Sequence, residues 1–452
     1  GTGAVTVLGD VSIDELVTFG QAYDVNLLGG GTIAQDTSFL NTGALVLGDD
    51  GGATGDVLTF TGGVDAVVQT EISAAGVVRT VDTDMDLGDP TAGSIGPILM
   101  TGDLTLATGT GDALATIGGI TDVPNDPLVL TLGEADEAGR FDFTEAVVVD
   151  TLATVDSAYD VRILEGGTIT TDTTFLNTAL IQIGDESVDA MNRDETFFLG
   201  GLDTTAAVRT DTAGLVETSN TRQDYGDLVL VADTQTNAGA NAIVFQSVGE
   251  AGAFTLSLQD DVLQGGDVTV LDEVVVTGLE TFDSDYGVAI LGLDGTPSTI
   301  TNDTNFLNTD FVQFGDADPT VSVPSGRIDP GSPVPAVFEF SGGLDTTATG
   351  TTVVAGTLQT ADAQMDLGET VMLADVTLLT GDGAMNVASI NDLLQDFALA
   401  LQDTDATGTV TIGQFDLNQI DATAGAYDVV LTENGDVDAD TIFLNTGDVT
   451  IG

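Results

Sequence analysis

The sequence predicts an all-β chain wound as a repetitive parallel β-solenoid. Three observations predict it. A seven-residue phrase recurs four times, short apolar/polar alternations broken by Gly, Asp or Asn fill the intervals, and no Pro- or Ser-rich linker divides the recurring units. Tandem β-sandwich domains, each closing on its own core, are the alternative architecture.

The phrase reads DTSFLNT from Asp36, DTTFLNT from Asp172, DTNFLNT from Asp303 and DTIFLNT from Asp440, so its Phe falls at 39, 175, 306 and 443. Other elements keep a fixed order around it. A Tyr precedes each copy, at Tyr23, Tyr159, Tyr286 and Tyr427. A strand and turn follow, in ALVLGD ending at Asp49, LIQIGD at Asp185 and FVQFGD at Asp316. Next come GGVDA at Gly62 and GGLDT at Gly200 and Gly342, then AGVVRT, AGLVET and AGTLQT, then DLGD, DYGD and DLGE at Asp86, Asp224 and Asp366.

The chain therefore reads as one continuous repeat array, 1–452. We place unit 1 at 1–138, unit 2 at 139–265, unit 3 at 266–407 and a partial unit 4 at 408–452. The distance between successive Phe marks drifts slightly from copy to copy, as trimmed or extended coil loops allow. Neither terminus carries an obvious cap, which leads us to expect further repeats or end-to-end stacking.

Within each unit VLTF at Val57, LTL at Leu104 and VTV at Val268 alternate with period two, and Thr and Val are abundant, as a pleated surface prefers. SINDLLQDFALALQD, from Ser389, has helical spacing at Ile390, Leu393, Leu394 and Phe397. Its second half matches Phe254-Leu256-Leu258 and Leu128-Leu130-Leu132, which alternate, so that half at least is predicted as strand. In the phrase itself, Phe175 and Leu176 are expected to point inward. Asn177 should bond backbone at a corner, and Asp172 and Thr173 should serve as turn residues.

Composition sets the surface. The 452 residues carry 73 Asp+Glu against 7 Lys+Arg, all Arg, for a formal net charge of -66; hydrophobic residues still make up 42 %. The apolar clusters along the whole length argue for a folded chain with an intensely negative surface. Such a surface repels nucleic acid and anionic lipid and favours cations and screening salt. No apolar run approaches the roughly 20 residues of a membrane-spanning helix, and the chain opens on GTGAVTV with neither a Met start nor a signal peptide, which reads as a processed or partial chain.

Chemistry is bounded too. There is no His, Cys or Lys, which excludes a nucleophile–His–Asp triad, thiol chemistry and a GxxxxGK[ST] loop. With so many acidic residues, some carboxylate pair will always sit at hydrolase separation, so that signal carries no weight, and the chain is read as non-enzymatic.

Calcium is the stronger idea, because hard cations want several oxygens and Asp-Gly turns supply them. The repeated candidates are Asp49 and Asp50, Asp185 and Glu186, and Asp316 and Asp318. Asp82, Asp84, Asp86 and Asp89 resemble the start of an EF-hand loop but lack its Gly and its final Glu; Asp436, Asp438 and Asp440 form another cluster. The same turn of unit 3 holds a Pro-rich insertion, Pro319 to Pro335, with Arg327, which we take as a candidate partner contact.

DTTFLNTALIQIGD, FTGGVDA and AGTLQTADAQMDLG resemble the bacterial β-strand-repeat surface proteins of the filamentous-haemagglutinin type. The resemblance covers nearly the whole chain. It implies a right-handed parallel β-solenoid (β-helix), secretion to the cell surface or beyond, and a role in adhesion, surface coats or extracellular fibres. The expectation is an extracellular structural protein forming an acidic fibre, sheath or surface layer by self-association, calcium-linked, with an adhesin stalk as the second reading and a carbohydrate-active enzyme as the third.

Overall fold

The computed structural model describes residues 3–49, 56–88, 97–123, 126–185, 193–260, 265–316, 336–393, 395–402, 406–439 and 441–452. They form two compact units, Gly1–Gly226 and Asp227–Gly452. Every registered strand pair among them is parallel and no helix occurs among the described residues, so the chain is a β-solenoid. The stretch at Ser389 begins and ends in strand, within Met385–Asn391 and Ala398–Leu401, with Leu393, at φ 53°, in the turn between them.

In the first unit three parallel ladders carry the chain, one strand of each per turn. The first begins Ala4–Val7, Asp24–Leu27, Ala44–Leu47. The second begins Val11–Ile13, Gly31–Ile33, Val57–Phe60. The third runs Thr37–Ser38, Val64–Ala66, Met85–Leu87, Leu114–Ile117, Arg140–Phe143, Asp160–Ile163 and Leu180–Ile183. Turn length is not constant: Val5 pairs with Val25 one turn on, whereas Met85 pairs with Ala115, a turn half as long again.

Alternation does the sorting. In LIQI of Leu180–Ile183 the two Ile are buried and the residues between lean outward. Stacking turns makes a continuous core of Val, Ile, Leu and Phe, with Ile33, Leu47, Phe60, Phe143, Ile163 and Ile183 fully buried. In Val57–Phe60, Glu71–Thr80 and Ile98–Ala107 inward residues again fill the core, and the two longer strands bend from one ladder into the next.

The second unit repeats this plan. One ladder contains Val275–Val276, Ser298–Ile300, Val337–Phe340, Ala398–Leu401, Gln419–Ala422 and Ile442–Phe443. The next contains Thr304–Asn305, Leu344–Asp345, Asp428–Leu431 and Val449–Ile451. The third contains Val268–Val270, Val288–Ile290 and Phe311–Phe314.

The sequence repeat and the structural turn do not coincide. The strand opening the phrase at Asp36, Thr37–Ser38, lies on the third ladder of the first unit. Its counterpart at Asp172, Thr173–Thr174, precedes Leu180–Ile183 of that ladder within the same turn, and follows on from Thr151–Thr154 of the second. In the second unit Thr304–Asn305 and Ile442–Phe443 likewise lie on different ladders. In both units the step from one phrase to the next is one strand short of a whole number of turns, and the later copy lands one ladder earlier.

The phrase is built the same way wherever it lands. Thr, Phe and Asn point in: Thr173, Phe175 and Asn177 are buried, as are Thr37, Phe39 and Asn41, and Thr304, Phe306 and Asn308. Phe39, Phe175 and Phe306 each pack edge-to-face on the Phe of the following turn, with centroids 6.1 Å apart for Phe39–Phe60, 6.2 Å for Phe175–Phe198 and 6.2 Å for Phe306–Phe340.

The corner Asn donates through Nδ2 to the carbonyl of the preceding Tyr: Asn41 to Tyr23, Asn177 to Tyr159, Asn308 to Tyr286 and Asn445 to Tyr427, at 3.2, 3.1, 3.0 and 3.0 Å. It bonds backbone at the corner as expected, as a donor tying two turns together. The Tyr hydroxyl closes the other side, donating from Tyr159 to Leu132 O and from Tyr286 to Leu258 O while accepting from Val155 N and Phe282 N.

The paired glycines belong to the same junction. A Cβ on Gly200 would overlap the backbone of Asp172, and one on Gly201, at φ 131°, would stand 2.7 Å from Asp172 Oδ1.

Two expectations are overturned. The Leu after each Phe points outward: Leu40, Leu176, Leu307 and Leu444 are 50, 45, 44 and 60 % exposed. The in–out alternation of the two-residue strand carries on past its end and dictates this, since Phe and Asn on either side both face in. Thr173 is likewise a buried strand residue, where a turn position was expected.

Candidate cation-binding sites

The carboxylates do two different things. Many are acceptors for the next turn's backbone. Asp24 takes Ala44 N at 3.0 Å, Asp160 takes Leu180 N at 3.1 Å, and Asp428 takes Asp448 N at 2.7 Å, each twenty residues on. Asp103, Asp233 and Asp375 do the same for Val129, Thr255 and Ala398. The short Asp side chain spans one turn spacing, about 4.8 Å, to the strand start it caps, which gives a reason for Asp to outnumber Glu.

The candidate turn acids fall partly outside the described residues: Asp50, Glu186, Asp318, Asp440, Asp89 and the insertion with Arg327 all lie there. For Asp49 and Asp185 the partner is an acid that sequence reasoning missed. Asp49 N donates to Asp56 Oδ2 at 3.2 Å and Asp185 N to Asp194 Oδ2 at 3.0 Å. Asp194 is 7 % exposed. Burial, with the charges of Asp185 and Glu165 beside it, pushes its carboxyl up to about 6. Asp316 follows the strand Phe311–Phe314 in the equivalent turn.

The EF-hand-like run is likewise structural in part. Asp82, at φ 56°, accepts Gly111 N at 2.8 Å, and Asp84 accepts Leu114 N at 3.0 Å. Asp86 stands beside Asp65 in the parallel register. These acids and Asp36 line an open groove. Burial first, then Asp86 and Asp36, raises the Asp65 carboxyl.

The other repeats neutralise this place. Where unit 1 has Asp84, unit 2 has Arg222, whose Nε lies 2.7 Å from Asp224, and unit 3 has Gln364, donating to Asp366 at 2.6 Å. Arg79, Arg140 and Arg209 are paired with Glu134, Asp142 and Asp211 in the same manner.

The tightest cluster among the described residues was not legible in the sequence. Asp272, Glu273 and Asp294 bring three carboxylate oxygens within 4.8 Å of one another. They meet because Leu293 N bonds Leu271 O, stacking LDE of one turn under LDG of the next. Gln246 donates to Asp272, and Asp294 accepts Thr296 N and Oγ1, both at 2.8 Å. Burial, then Asp294, Asp272 and Asp227, raises the Glu273 carboxyl. Three oxygens supply half or less of a calcium shell, the rest falling to carbonyls and water.

No protein-family model matches the chain, and no curated protein or solved structure matches it. No helix of the described residues is long and apolar enough to cross a membrane.

Proposed function

We propose that this chain is a non-enzymatic extracellular structural protein of the filamentous-haemagglutinin-like kind, building an acidic fibre, sheath or surface layer by self-association. One observation carries the reading. Parallel ladders give a stiff body whose outward positions bear carboxylates far in excess of the few Arg, and Arg79, Arg140, Arg209 and Arg222 are already committed to acids within the chain. The remaining charge keeps copies apart at low salt and is available to divalent cations. Calcium at Asp272, Glu273 and Asp294, or at the Asp49, Asp185 and Asp316 turns, would link neighbours.

Electron microscopy in millimolar calcium and then in chelator tests this. Ordered fibres or sheets that loosen in chelator are expected. Fibres indifferent to chelator would remove calcium and keep the structural role; isolated short rods in both conditions would favour an adhesin stalk.

A further inference from the structure

One face of the first compact unit departs from the rest of the surface. The chain has 73 Asp+Glu against 7 Lys+Arg, yet Arg140, Arg162 and Arg209 all stand on the third ladder, within four successive strands. Phe141, Val161 and Ile181 are fully buried there, so the residues on either side of each point outward. Arg140 and Asp142 flank Phe141. One turn on, Asp160 and Arg162 flank Val161 with the signs exchanged. Leu180 and Gln182 follow beside Ile181, and Leu114 and Thr116 precede on the turn before. The outcome is a neutral checkerboard on one sheet face, with an uncharged row above and below it.

The fold does not ask for these charges. The same stack recurs in the second compact unit as Val268–Val270, Val288–Ile290, Phe311–Phe314 and the start of Thr351–Thr360. Where the first stack has Asp142, Arg162 and Asp211, the second has Thr269, Ala289 and Val353, and its strands pair in the same register. Nor are the guanidiniums used up within the chain. Arg140 Nη2 lies 3.0 Å from Asp142, but Arg162 Nε comes only to 3.8 Å of that carboxylate, beyond hydrogen-bond distance. Both side chains are partly exposed, at 38 and 28 %, and each guanidinium carries five donors.

We propose that this face docks the same face of a second copy, with the turns of the two copies running in opposite directions. The proposal rests on the self-association proposed above and names a surface for it. Charge complementarity selects the occupant. A two-fold axis lying in the face, along the strands and midway between the Arg140 and Asp160 turns, sets Arg140 against the other copy's Asp160 and Asp142 against its Arg162. Symmetry makes each contact twice. In the outer rows Leu114 meets Leu180 and Thr116 meets Gln182, apolar on apolar and polar on polar. One row further, Arg209 meets Asp84 but Asp211 meets Asp86, and the match ends. An anionic or cationic ligand would find no excess of the opposite sign here, whereas two chains of formal charge -66 gain a place to touch without mutual repulsion. Four strands about 4.8 Å apart make a patch short of the roughly 1,000 Å² of a stable interface, so the pairing is weak and reversible. A two-fold contact closes on itself, which leaves growth into a fibre or sheet to other contacts.

The test is sedimentation equilibrium of the full chain at about 0.15 M salt with chelator present, each variant's fold being checked by its circular-dichroism melt. Asp142→Arg removes an acid and adds a base, which lowers the general repulsion between copies. It also sets guanidinium against guanidinium across the two-fold axis, so association should weaken roughly ten-fold or more. Arg162→Asp should weaken it as far. The double variant Asp142→Arg, Arg162→Asp restores opposite signs at every contact and the wild-type net charge, and should recover wild-type association. Association of Asp142→Arg at or above the wild-type level overturns the proposal, as does a folded double variant that fails to recover. If a single variant does not fold, the pair Asp142→Thr, Arg162→Ala decides, since it takes the residues found at Thr269 and Ala289 and keeps the net charge; association as tight as wild type would then overturn the proposal. Wild type that stays monomeric in every salt and in calcium would overturn the self-association reading itself. Association untouched by all of these variants would leave that reading standing and remove this one.

Discussion

Replacing Asn177 tests the corner directly. Its Nδ2 donates to Tyr159 O at 3.1 Å and, more weakly, to Leu180 O at 3.5 Å, and the residue is 0 % exposed. Asn177→Ala strands two buried carbonyls. A buried acceptor left unmade costs about 1–3 kcal/mol. Asn177 Oδ1, however, is itself buried with no hydrogen-bond donor among the protein groups, so its removal recovers part of that. The net loss should be about 1–2 kcal/mol. Asn177→Asp is worse, because an acceptor-only carboxylate then faces two carbonyl oxygens in a dry corner; it should cost more than about 3 kcal/mol. Leu176→Thr, one residue away and outward, should stay within about 0.5 kcal/mol of wild type.

Urea unfolding followed by circular dichroism gives the ranking, and hydrogen exchange at the Leu180 and Thr178 amides gives its location, since a solenoid opens locally before it unfolds globally. An Asn177→Ala variant within about 0.5 kcal/mol of wild type, with Asn177→Asp no worse, would refute a register-holding role for the corner bond.

Three further outcomes are expected. The raised Asp194 carboxyl means the folded state holds its proton more tightly than the unfolded chain does. Stability contributed by this group is therefore complete below about 3.8 and is lost as pH rises to about 6; Asp194→Asn should flatten that part of a stability–pH curve measured by urea midpoints. Asp84→Arg places in unit 1 the guanidinium that Arg222 supplies in unit 2 and should lower the Asp65 carboxyl, read by carbon-detected NMR titration; because it also removes the acceptor of Leu114 N, the gain of about 0.2–1 kcal/mol from the new ion pair should be offset by a loss of about 0.5–1.5 kcal/mol, leaving the urea midpoint close to wild type. Tyr286, whose hydroxyl is buried, should ionise only at about 12 by absorbance at alkaline pH, with stability falling as pH rises from about 10 toward that value; Tyr286→Phe should remove this phase.

Much of the fold was legible in the sequence, and the reasons are specific. Period-two alternation in LIQI and VLTF, with Gly and Asp at close intervals, fixes short strands, and recurrence without linkers fixes stacking. The segment at Ser389 is legible as strand because its relatives in the chain alternate, although its own spacing is helical. The phrase's Phe and Asn announce core and corner. Its Leu misleads, because hydrophobicity suggests burial where alternation forbids it: a Leu between two inward residues has to face out.

The acid sites were less legible. Asp272 and Asp294 lie a turn apart, and turn length varies widely within the first unit alone, so no fixed spacing announces the meeting of their carboxylates. The role of Asp24, Asp160 and Asp428 as caps for the next turn is hidden as well, because in the sequence they look like surface charge.

The mismatch between repeat and turn bears on how such an array can change length. A phrase that packs on the third ladder at Asp36 and on the second at Asp172 shows that the ladders accept the same residues. Duplicating or deleting one repeat by recombination between similar gene segments would leave every strand beside a compatible neighbour. The core would remain continuous while everything downstream is re-indexed by one face. Each such event costs the fold little and re-aims the surface beyond it. An array of this kind can therefore vary its length between lineages, and the direction its far end presents, without any new packing solution having to be found.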